Sequence, residues 1–397
     1  MKRSSNRILT THAGSLPRPD SLIAAFKNST SNADVEQELV SSIDAIVARQ
    51  KEVGIDIAND GEFGKAVAGK VDYGAWWSYV YPRLSGYKVV QKQLEKGRSG
   101  WNFGSKERQE FAAFYQEGNA MSGKNPDTGS SAASMYGLVC VEPVKYIGQE
   151  LVARDIRHMK DAAAKAGLDE VFMPVVAPAI LQIIPNEYYA SNEEYTFALA
   201  DAIREEYSAI VDAGLLLQID DPGLVCVYDW WFSLKDDWSG YRKWAEMQIE
   251  ALRHALKGIP EDRIRYHLCW GSWHGPHKTD VPLKDIVDLL LKVPAQAYSI
   301  EAANVRHEHE WKVWRDVAKL PDGKILIPGV VSHATNVLEH PELIDDRIIA
   351  YANIVGRENV IAGTDCGLGG RIHDQLVWEK LRVMREGADL ASKQLWR

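Results

Sequence analysis

Short runs of β-branched and aliphatic residues alternate along the chain with longer segments whose apolar residues recur at helical spacing. Segment 34–53 is an example, because Val35, Leu39 and Ile43 fall near one helical face. Gly54 follows at the point where that periodicity stops. Strands that are separated by helices form parallel sheets with right-handed crossovers. The alternation therefore predicts an α/β fold built on a parallel sheet.

The number of predicted strands indicates which kind of parallel sheet this is. The predicted strands are 8–11, 55–58, 171–176, 215–219, 264–268, 298–300, 325–327 and 360–362. Eight strand–helix units close into a barrel, so we expect a single (β/α)8 TIM barrel. A further apolar run, 138–141, is placed outside the barrel, between the second and third strands. A doubly wound open sheet is the alternative, but no glycine-rich phosphate turn follows the first strand.

The chain has 397 residues, of which 46% are hydrophobic, so it can bury one large core. Barrels of this class often reach this length as one domain, and we therefore expect residues 1–397 to form a single domain. Segment 122–131 has the glycine, proline, asparagine and serine content of a solvated loop. With the polar stretch before it, this segment predicts an insertion over about residues 88–135, after the second strand.

Charge and hydropathy exclude several classes of partner. The net charge of −9 repels phosphate backbones, which argues against nucleic acid. No run of roughly 18 apolar residues is present, so no membrane span is expected. The first residues lack the apolar region of a secretory signal, which predicts a cytoplasmic location. In that reducing compartment the scattered cysteines are not expected to form disulfides, and each is either a buried apolar side chain or a reactive group.

Polar and metal-binding residue types follow the carboxyl ends of most predicted strands, where a barrel builds its active site. They are His12, Ser15, Asp60, Glu62, Asp220, His267, Cys269, Glu301, His333 and Cys366. The other two cysteines, Cys140 and Cys226, lie between valines, and core packing is the favoured interpretation for both. The sequence thus predicts one polar site at the mouth of the barrel.

Four of these residues suggest a metal site. His267 and Cys269 are two apart on a strand, so their side chains share a face. Glu301 and Cys366 follow other strands at the same barrel mouth. Thiolate and imidazole ligands favour tetrahedral Zn²⁺. A His-x-Cys pair alone more often marks ordinary burial, but the four residues together make a zinc cofactor the working hypothesis.

Such a site suits thiol chemistry. A free thiol has a pKa of about 8.5 and is mostly protonated at neutral pH, whereas the thiolate is the nucleophile. Bound zinc deprotonates a coordinated thiol. Glu301 is the hard ligand in a soft set, so we expect a substrate sulfur to displace it most easily. The sequence therefore predicts an enzyme that activates a small thiol for alkylation.

At these residues the sequence resembles the catalytic barrel of cobalamin-independent methionine synthase, from end to end except for the insertion. The family's zinc pattern is met at His267, Cys269, Glu301 and Cys366. Its other motifs are met by Gly14-Ser15-Leu16-Pro17, Gly61-Glu62 and Gln218-Ile219-Asp220. The resemblance implies that Ser15, Glu62 and Asp220 bind the amino acid part of homocysteine. It also implies that His333, which follows Pro328-Gly329-Val330, donates a proton.

We expect no second, N-terminal barrel like that of the full-length synthase, and the chain resembles a short single-barrel branch. That branch includes methyltransferases and the epoxyalkane:coenzyme M transferases, which open an epoxide with a zinc-bound thiolate. Methyl transfer to homocysteine is favoured because Glu62 and Asp220 suit an ammonium group. For the lyase alternative, a cation for a sulfonate thiol is offered by Lys65, Arg18 or Arg371.

A third hypothesis is a structural zinc in a protein that binds a ligand without turnover. It is disfavoured because structural sites are closed, whereas here a displaceable glutamate stands at the barrel mouth. The expected partners are a small thiol and a small alkyl donor or electrophile. Barrels of this kind are often homo-oligomers, although nothing in the sequence fixes a number.

Overall fold

The computed structural model describes residues 1–29, 31–66, 79–90, 105–117 and 138–397. Within these ranges the strands are β1 (Leu9–Thr10), β2 (Tyr87–Val89), β3 (Leu138–Cys140), β4 (Phe172–Val176), β5 (Leu216–Asp221), β6 (Ile264–Leu268), β7 (Ala297–Glu301), β8 (Ile325–Val331) and β9 (Ile361–Thr364). Seven of them form one sheet in the order β1-β9-β8-β7-β6-β5-β4, and every neighbouring pair is parallel. The predicted parallel α/β sheet is confirmed.

The prediction of a regular second strand over 55–58 is wrong. Ile57 forms an isolated parallel bridge to Thr11 beside β1, and Ala58 forms one to Val171 beside β4. This short segment therefore lies between the two edges of the sheet. Side chains replace part of the strand ladder here, because Asp56 accepts a hydrogen bond from Thr10 N at 2.9 Å. Next to this segment, Gln50 Nε2 donates to the Asn59 carbonyl, and Gln50 Oε1 accepts from the Asn59 N–H.

Helices follow the strands as the alternation predicts. They are α1 (Asp20–Asn28), α2 (Glu36–Glu52), α3 (Lys106–Glu110), α4 (Ala112–Gln116), α5 (Gln149–Ala166), α6 (Pro178–Leu181), α7 (Asn192–Asp212), α8 (Gly223–Val227), α9 (Trp238–Ala255), α10 (Val287–Leu290), α11 (Val313–Asp316), α12 (Pro341–Val355) and α13 (Asp374–Leu395). A π-helix, Tyr228–Phe232, extends α8. Among the helices of the described ranges, none combines the length and apolar character needed to cross a membrane.

Two hydrophobic clusters lie on the two faces of the sheet. The larger one fills the space between strands and helices. The smaller one consists of Leu9, Ile57, Phe172, Leu216, Ala297, Ile325, Ile327 and Ile361. Its members come from both edges and the middle of the sheet yet contact one another, so the sheet is curled around them. Arg265 on β6 also crosses this interior, donating to Thr11 Oγ1 at 2.9 Å with its guanidinium 4.0 Å from the Phe172 ring.

Strands β2 and β3 pair in antiparallel fashion and stand apart from the main sheet. This agrees with the placement of run 138–141 outside the barrel. Of the predicted insertion, 88–135, the structure describes residues 88–90 and 105–117, and the remainder lies outside the described residues. The described part contains α3 and α4, and Lys106 N of α3 donates to Ser233 Oγ at 3.1 Å.

Candidate active site

A cavity opens where the carboxyl ends of the parallel strands meet. Its lining residues are Ala13, Gly14, Ser15, Glu62, Asp220, Pro222, His267, Cys269, Gly271, Ser272, Cys366, Gly367 and Arg371. They come from the ends of β5 and β6 and from the loops that follow β1, residue 58, β6 and β9. The structure thus brings the predicted substrate-binding residues to the same cavity as three of the four predicted metal ligands.

His267, Cys269 and Cys366, here called the thiol cluster, place one ligand atom each within 4.8 Å of one another. The two sulfur atoms are 3.5 Å apart. His267 Nδ1 lies 3.1 Å from Ser299 Oγ, and its buried Nε2 has no hydrogen-bond partner within the described ranges. A partner on one ring nitrogen orients the other toward a metal. The thiol cluster can therefore hold a metal ion.

The two cysteines of the thiol cluster differ in how readily they lose a proton. The adjacent Cys269 thiol, followed by the nearby His267 imidazole and the charge of Arg371, holds the pKa of the Cys366 thiol well below its usual range. The same contact with Cys366, together with burial, raises the pKa of Cys269. Gly271 N also donates to Cys269 Sγ at 3.3 Å. One sulfur of the pair is thus stabilised as a thiolate, which is the form that binds metals.

Glu301, the fourth predicted ligand, lies in a neighbouring group with His333 and Asp365, here called the carboxyl cluster. Their ligand atoms also lie within 4.8 Å of one another, and all three residues are buried. Glu301 Oε1 accepts from Trp270 N at 3.0 Å, and its Oε2 accepts from Asn304 Nδ2 at 2.8 Å. The backbone next to Cys269 thus fixes the carboxylate of Glu301.

Burial governs the ionisation of the carboxyl cluster. It raises the pKa of Glu301, and it raises that of Asp365 well above its usual range, to which the charge of Glu301 adds. Two carboxyl groups this close do not both ionise readily. Burial also lowers the pKa of His333 to about 3, so its imidazole is neutral. Both ring nitrogens of His333 lack hydrogen-bond partners among the residues that the structure describes.

Glu62 is held in an unusual backbone conformation on the opposite wall of the cavity. Its φ is 63°, in the left-handed region that non-glycine residues seldom adopt. Its N–H donates to Asp60 Oδ1 at 2.9 Å, and its carboxylate lies 3.5 Å from Lys65 Nζ. A Cβ at Gly14 would lie 2.4 Å from Glu62 Oε1, so a larger residue there would displace the Glu62 carboxylate. Strain of this kind concentrates at functional sites.

Asp220 shares that wall. Burial raises the pKa of Asp220 to about 7, although nearby His267 and Lys65 oppose the rise. Gln218, two residues earlier on β5, donates to Asp220 Oδ1 at 2.7 Å and also to the carbonyl of Ala13. Gln218 therefore ties this wall of the cavity to the loop after β1.

Ser15 and Arg371 form a third wall. The N–H groups of Leu368 and Gly369 both donate to the Ser15 carbonyl at 2.9 Å, which joins the loops after β1 and β9. A Cβ at Gly367 would lie 2.4 Å from Ser15 Oγ, so glycine permits this approach. Arg371 Nη1 is 3.4 Å from Ser15 Oγ, and its side chain faces the cavity.

A buried group of His277, Asp280, His307 and Glu310, here called the ion cluster, stands behind the loop that follows β6. Asp280 Oδ2 accepts from His277 Nδ1 and from His307 Nε2, both at 2.9 Å. His307 Nδ1 donates to Glu310 Oε2 at 2.9 Å, and His277 Nε2 donates to the Trp273 carbonyl at 3.0 Å. Every ring nitrogen thus faces an acceptor, so both histidines are imidazolium ions.

Several of these residues were not predicted from the sequence. Ser299 was missed as part of the site, Asp365 was assigned no role there, and the ion cluster was not anticipated, because His277 and His307 follow different strands. A signal for Ser299 existed, because it stands two residues before Glu301 and therefore faces the same side of β7. Gln218 precedes Asp220 on β5 in the same way.

The curled parallel sheet and the thiol cluster define an α/β protein with side chains that could hold a metal ion at the carboxyl ends of its strands. Residues 105–390 match the family described as cobalamin-independent synthase, catalytic domain. The chain belongs to this family, and the resemblance predicted from the site motifs is confirmed.

Relatives extend along the whole chain. A methionine synthase of Thermococcus kodakarensis is 22% identical over 394 residues, covering 98% of this chain and 94% of the relative. A 2-hydroxypropyl-CoM lyase of Xanthobacter autotrophicus is 23% identical over 421 residues, covering 98% and 96%. A B12-independent methionine synthase structure from Shewanella sp. W3-18-1 superposes with a TM-score of 0.64, at 17% identity, covering 98% of this chain and 99% of that one. The curated relatives are enzymes.

Proposed function

We propose that the protein transfers an alkyl group to the sulfur of a small thiol in a zinc-dependent reaction. The favoured reaction is transfer of a methyl group to homocysteine. The observation that carries this proposal is the shared cavity, in which the thiol cluster faces Ser15, Glu62 and Asp220. A sulfur-binding end and a polar end therefore lie within the reach of one small molecule. The methionine synthases among the relatives support the same conclusion.

The side chains of the thiol cluster fit a zinc ion. Two sulfurs and an imidazole nitrogen are the ligand types that zinc prefers, and the buried His267 Nε2 has no partner within the described part of the chain. Glu301, beside this cluster, is proposed as the fourth and displaceable ligand. Zinc, when bound, supplies the chemistry that keeps a coordinated thiol deprotonated and therefore nucleophilic.

The other residues bind the substrate and move a proton. Glu62 and Asp220 present carboxyl groups to an ammonium group, and Ser15 offers a hydroxyl to the same end of the substrate. His333 is proposed to deliver a proton to the leaving atom of the alkyl donor. It adjoins Glu301 and Asp365 in the carboxyl cluster, whose raised pKa values make a proton available there. Glu301 and His333 are thus the proposed catalytic residues.

A substitution at Glu62 tests how the amino group is recognised. Glu62→Gln keeps the shape of the side chain but removes the charge that faces an ammonium group. We expect binding of homocysteine to weaken by about tenfold, and binding of a thiol without an amine to be unchanged. Titration of both thiols measures this, and an equal loss for the two would show that Glu62 does not bind the amino group.

The second candidate is an epoxide-opening reaction that joins a sulfonate thiol to an alkyl group. It is favoured by the 2-hydroxypropyl-CoM lyase among the relatives and by the guanidinium of Arg371 at the cavity. In both reactions the thiol cluster activates a sulfur and a proton reaches the atom that separates from the alkyl carbon. The two candidates differ in the thiol and in the electrophile.

We also infer that the curled sheet and the Ile57–Ala58 segment are an eight-stranded barrel in a single domain over 1–397, with the insertion at about 88–135. Support comes from the bridges of Ile57 and Ala58 to opposite edges of the sheet. A cytoplasmic location is proposed because the free thiols of Cys269 and Cys366 are 3.5 Å apart. Thiols that close persist in a reducing compartment.

Titration of the cobalt-substituted protein with thiols tests the proposed function. Homocysteine, coenzyme M, glutathione and cysteine are compared by the thiolate-to-metal absorption band. A saturable new band with homocysteine alone supports methyl transfer to homocysteine. A band with coenzyme M alone supports the epoxide-opening reaction. No change with any thiol would mean that substrate sulfur does not reach the metal, and the proposed function would be wrong.

A further inference from the structure

The cavity is lined by groups of opposite charge on separate walls. Glu62 and Asp220 provide one wall, and Arg371 stands on another beside Ser15. Among the described lining residues, Arg371 is the one lysine or arginine. A small molecule that places its sulfur at the thiol cluster therefore meets acidic groups in one direction and a guanidinium in another.

Lys65 and Arg18, the other two cations that the sequence offered for an anionic group, have different roles. Lys65 is paired with Glu62, with 3.5 Å between Nζ and Oε1, and it also lies 4.8 Å from the Tyr79 ring centroid. Arg18 donates to the Glu62 carbonyl at 3.1 Å and does not line the cavity. Both side chains adjoin Glu62 and neither lines the cavity, so Arg371 is the cation that faces a bound substrate there.

Arg371, by contrast, is weakly engaged by the protein. Its Nη1 lies 3.4 Å from both Ser15 Oγ and the Gly369 carbonyl, which are long hydrogen bonds. No carboxylate of the described residues forms an ion pair with it, although a guanidinium has five N–H groups to donate. The planar fork of an arginine matches a carboxylate or a sulfonate with two parallel hydrogen bonds.

We propose that Arg371 is a specificity-determining residue that binds the anionic group, carboxylate or sulfonate, of the thiol substrate. This inference rests on the proposed function, because it assumes that the thiol sulfur lies at the thiol cluster. It adds the requirement that the substrate is an anionic thiol. Neutral thiols of similar size are then poor ligands because they leave the Arg371 guanidinium without a partner.

The test compares four thiols in the cobalt-substituted full-length protein. Homocysteine and coenzyme M carry an anion, whereas 3-aminopropane-1-thiol and 2-mercaptoethanol do not. Dissociation constants come from the thiolate-to-metal band. For Arg371→Gln we expect binding of the preferred anionic thiol to weaken by about tenfold to hundredfold, with no change for the neutral or cationic thiols. Arg371→Lys keeps the charge but loses the fork, so its loss should be smaller.

The matched control is Arg382→Gln, on the exposed surface of α13, which should bind all four thiols as the unchanged protein does. The wild-type preference between homocysteine and coenzyme M tells whether the anion is a carboxylate or a sulfonate.

If Arg371→Gln weakens the binding of every thiol equally, or of none, the inference is overturned while the proposed function stands. If no thiol changes the spectrum of the wild-type protein, the proposed function fails and this inference fails with it. Should Arg371→Gln not fold, the comparison is made on Arg371→Lys alone, and equal losses for all thiols again overturn the inference.

Discussion

The ion cluster and the adjoining thiol and carboxyl clusters are buried groups that lie close together at the carboxyl end of the sheet. They differ in how many of their polar atoms form hydrogen bonds within the protein. In the ion cluster every imidazole nitrogen donates to a carboxylate or a carbonyl, at 2.9 to 3.0 Å. In the thiol and carboxyl clusters, His267 Nε2, both nitrogens of His333 and Asp365 Oδ2 lack partners within the described ranges. Buried polar groups are normally paired. The hydrogen bonding of the ion cluster thus fits a structural role, and the unpaired atoms of the other two clusters support the proposed ligand site.

The ion cluster also supports the thiol and carboxyl clusters through the aromatic residues that lie between them. The Trp270 ring lies 4.3 Å from the His307 ring, and the Trp273 ring is stacked 4.2 Å from that of His277. Trp270 directly follows Cys269, and its N–H is bonded to Glu301. The ion cluster thus anchors the loop that carries one cysteine of the thiol cluster and orients the Glu301 carboxylate. Each of the following predictions separates the two kinds of group.

The largest effect is expected from removing a metal-binding group. Cys366→Ser or His267→Ala should lose bound zinc and lower activity by more than about a hundredfold, because the neighbouring ligand atoms cannot complete a tetrahedral set. Metal content and turnover are measured on the same sample. Cys140→Ser is a control, because that buried cysteine lies on β3, outside the sheet that carries the site. Full activity in a metal-free Cys366→Ser protein would contradict the zinc hypothesis.

A stability loss without a change of metal stoichiometry is expected from the ion cluster. Asp280→Asn removes the negative charge between two imidazolium ions, which should cost about 3 kcal/mol of unfolding free energy. Urea denaturation measures it, and the folded variant should still bind one zinc ion. Asp288→Asn, whose surface ion pair with Arg242 is about half exposed, should cost less than about 1 kcal/mol. Loss of zinc from the folded Asp280→Asn protein would contradict the separation of the two groups, because metal binding would then depend on the ion cluster.

Ser299→Ala tests the support of a ligand rather than the ligand itself. The variant removes the group that lies 3.1 Å from His267 Nδ1 and fixes the ring. We expect zinc affinity to fall by about tenfold to hundredfold, with little change in stability measured on the zinc-loaded protein. Competition with a chelator measures the affinity. Unchanged affinity would mean that the surrounding packing alone orients His267.

The parts of the molecule that the sequence predicts are those set by local periodicity. Strand β6 was predicted with its observed bounds, and period two placed His267 and Cys269 on one face. The ion cluster was not predictable in this way, because His277 and Asp280 meet His307 from the loop of another strand. Its formation depends on loop conformation, including the left-handed φ of 52° at His277. The second predicted strand is reduced to single bridges at Ile57 and Ala58, and the Asp56 carboxylate takes the N–H of Thr10 beside it.

The smallest effect is a pH dependence that the ion cluster should impose on stability. Burial lowers the pKa of both histidines, but the hydrogen bonds to Asp280 outweigh it and raise the pKa of His277 to about 9 and, with Glu310, that of His307 to about 10. Glu301 adds to both shifts.

A histidine whose pKa is raised in the folded state contributes its full stabilisation to that state below the unfolded-state pKa of about 6.5. This contribution is lost as the pH rises through 9 to 10. The unfolding free energy should therefore fall as the pH rises from about 6.5 towards 10. Asp280→Asn should flatten that slope in urea titrations, whereas Asp288→Asn should keep it. An equal slope in wild type and Asp280→Asn would mean that the histidines are not held as imidazolium ions by Asp280, and the contrast between a satisfied and an unsatisfied group would rest on geometry alone.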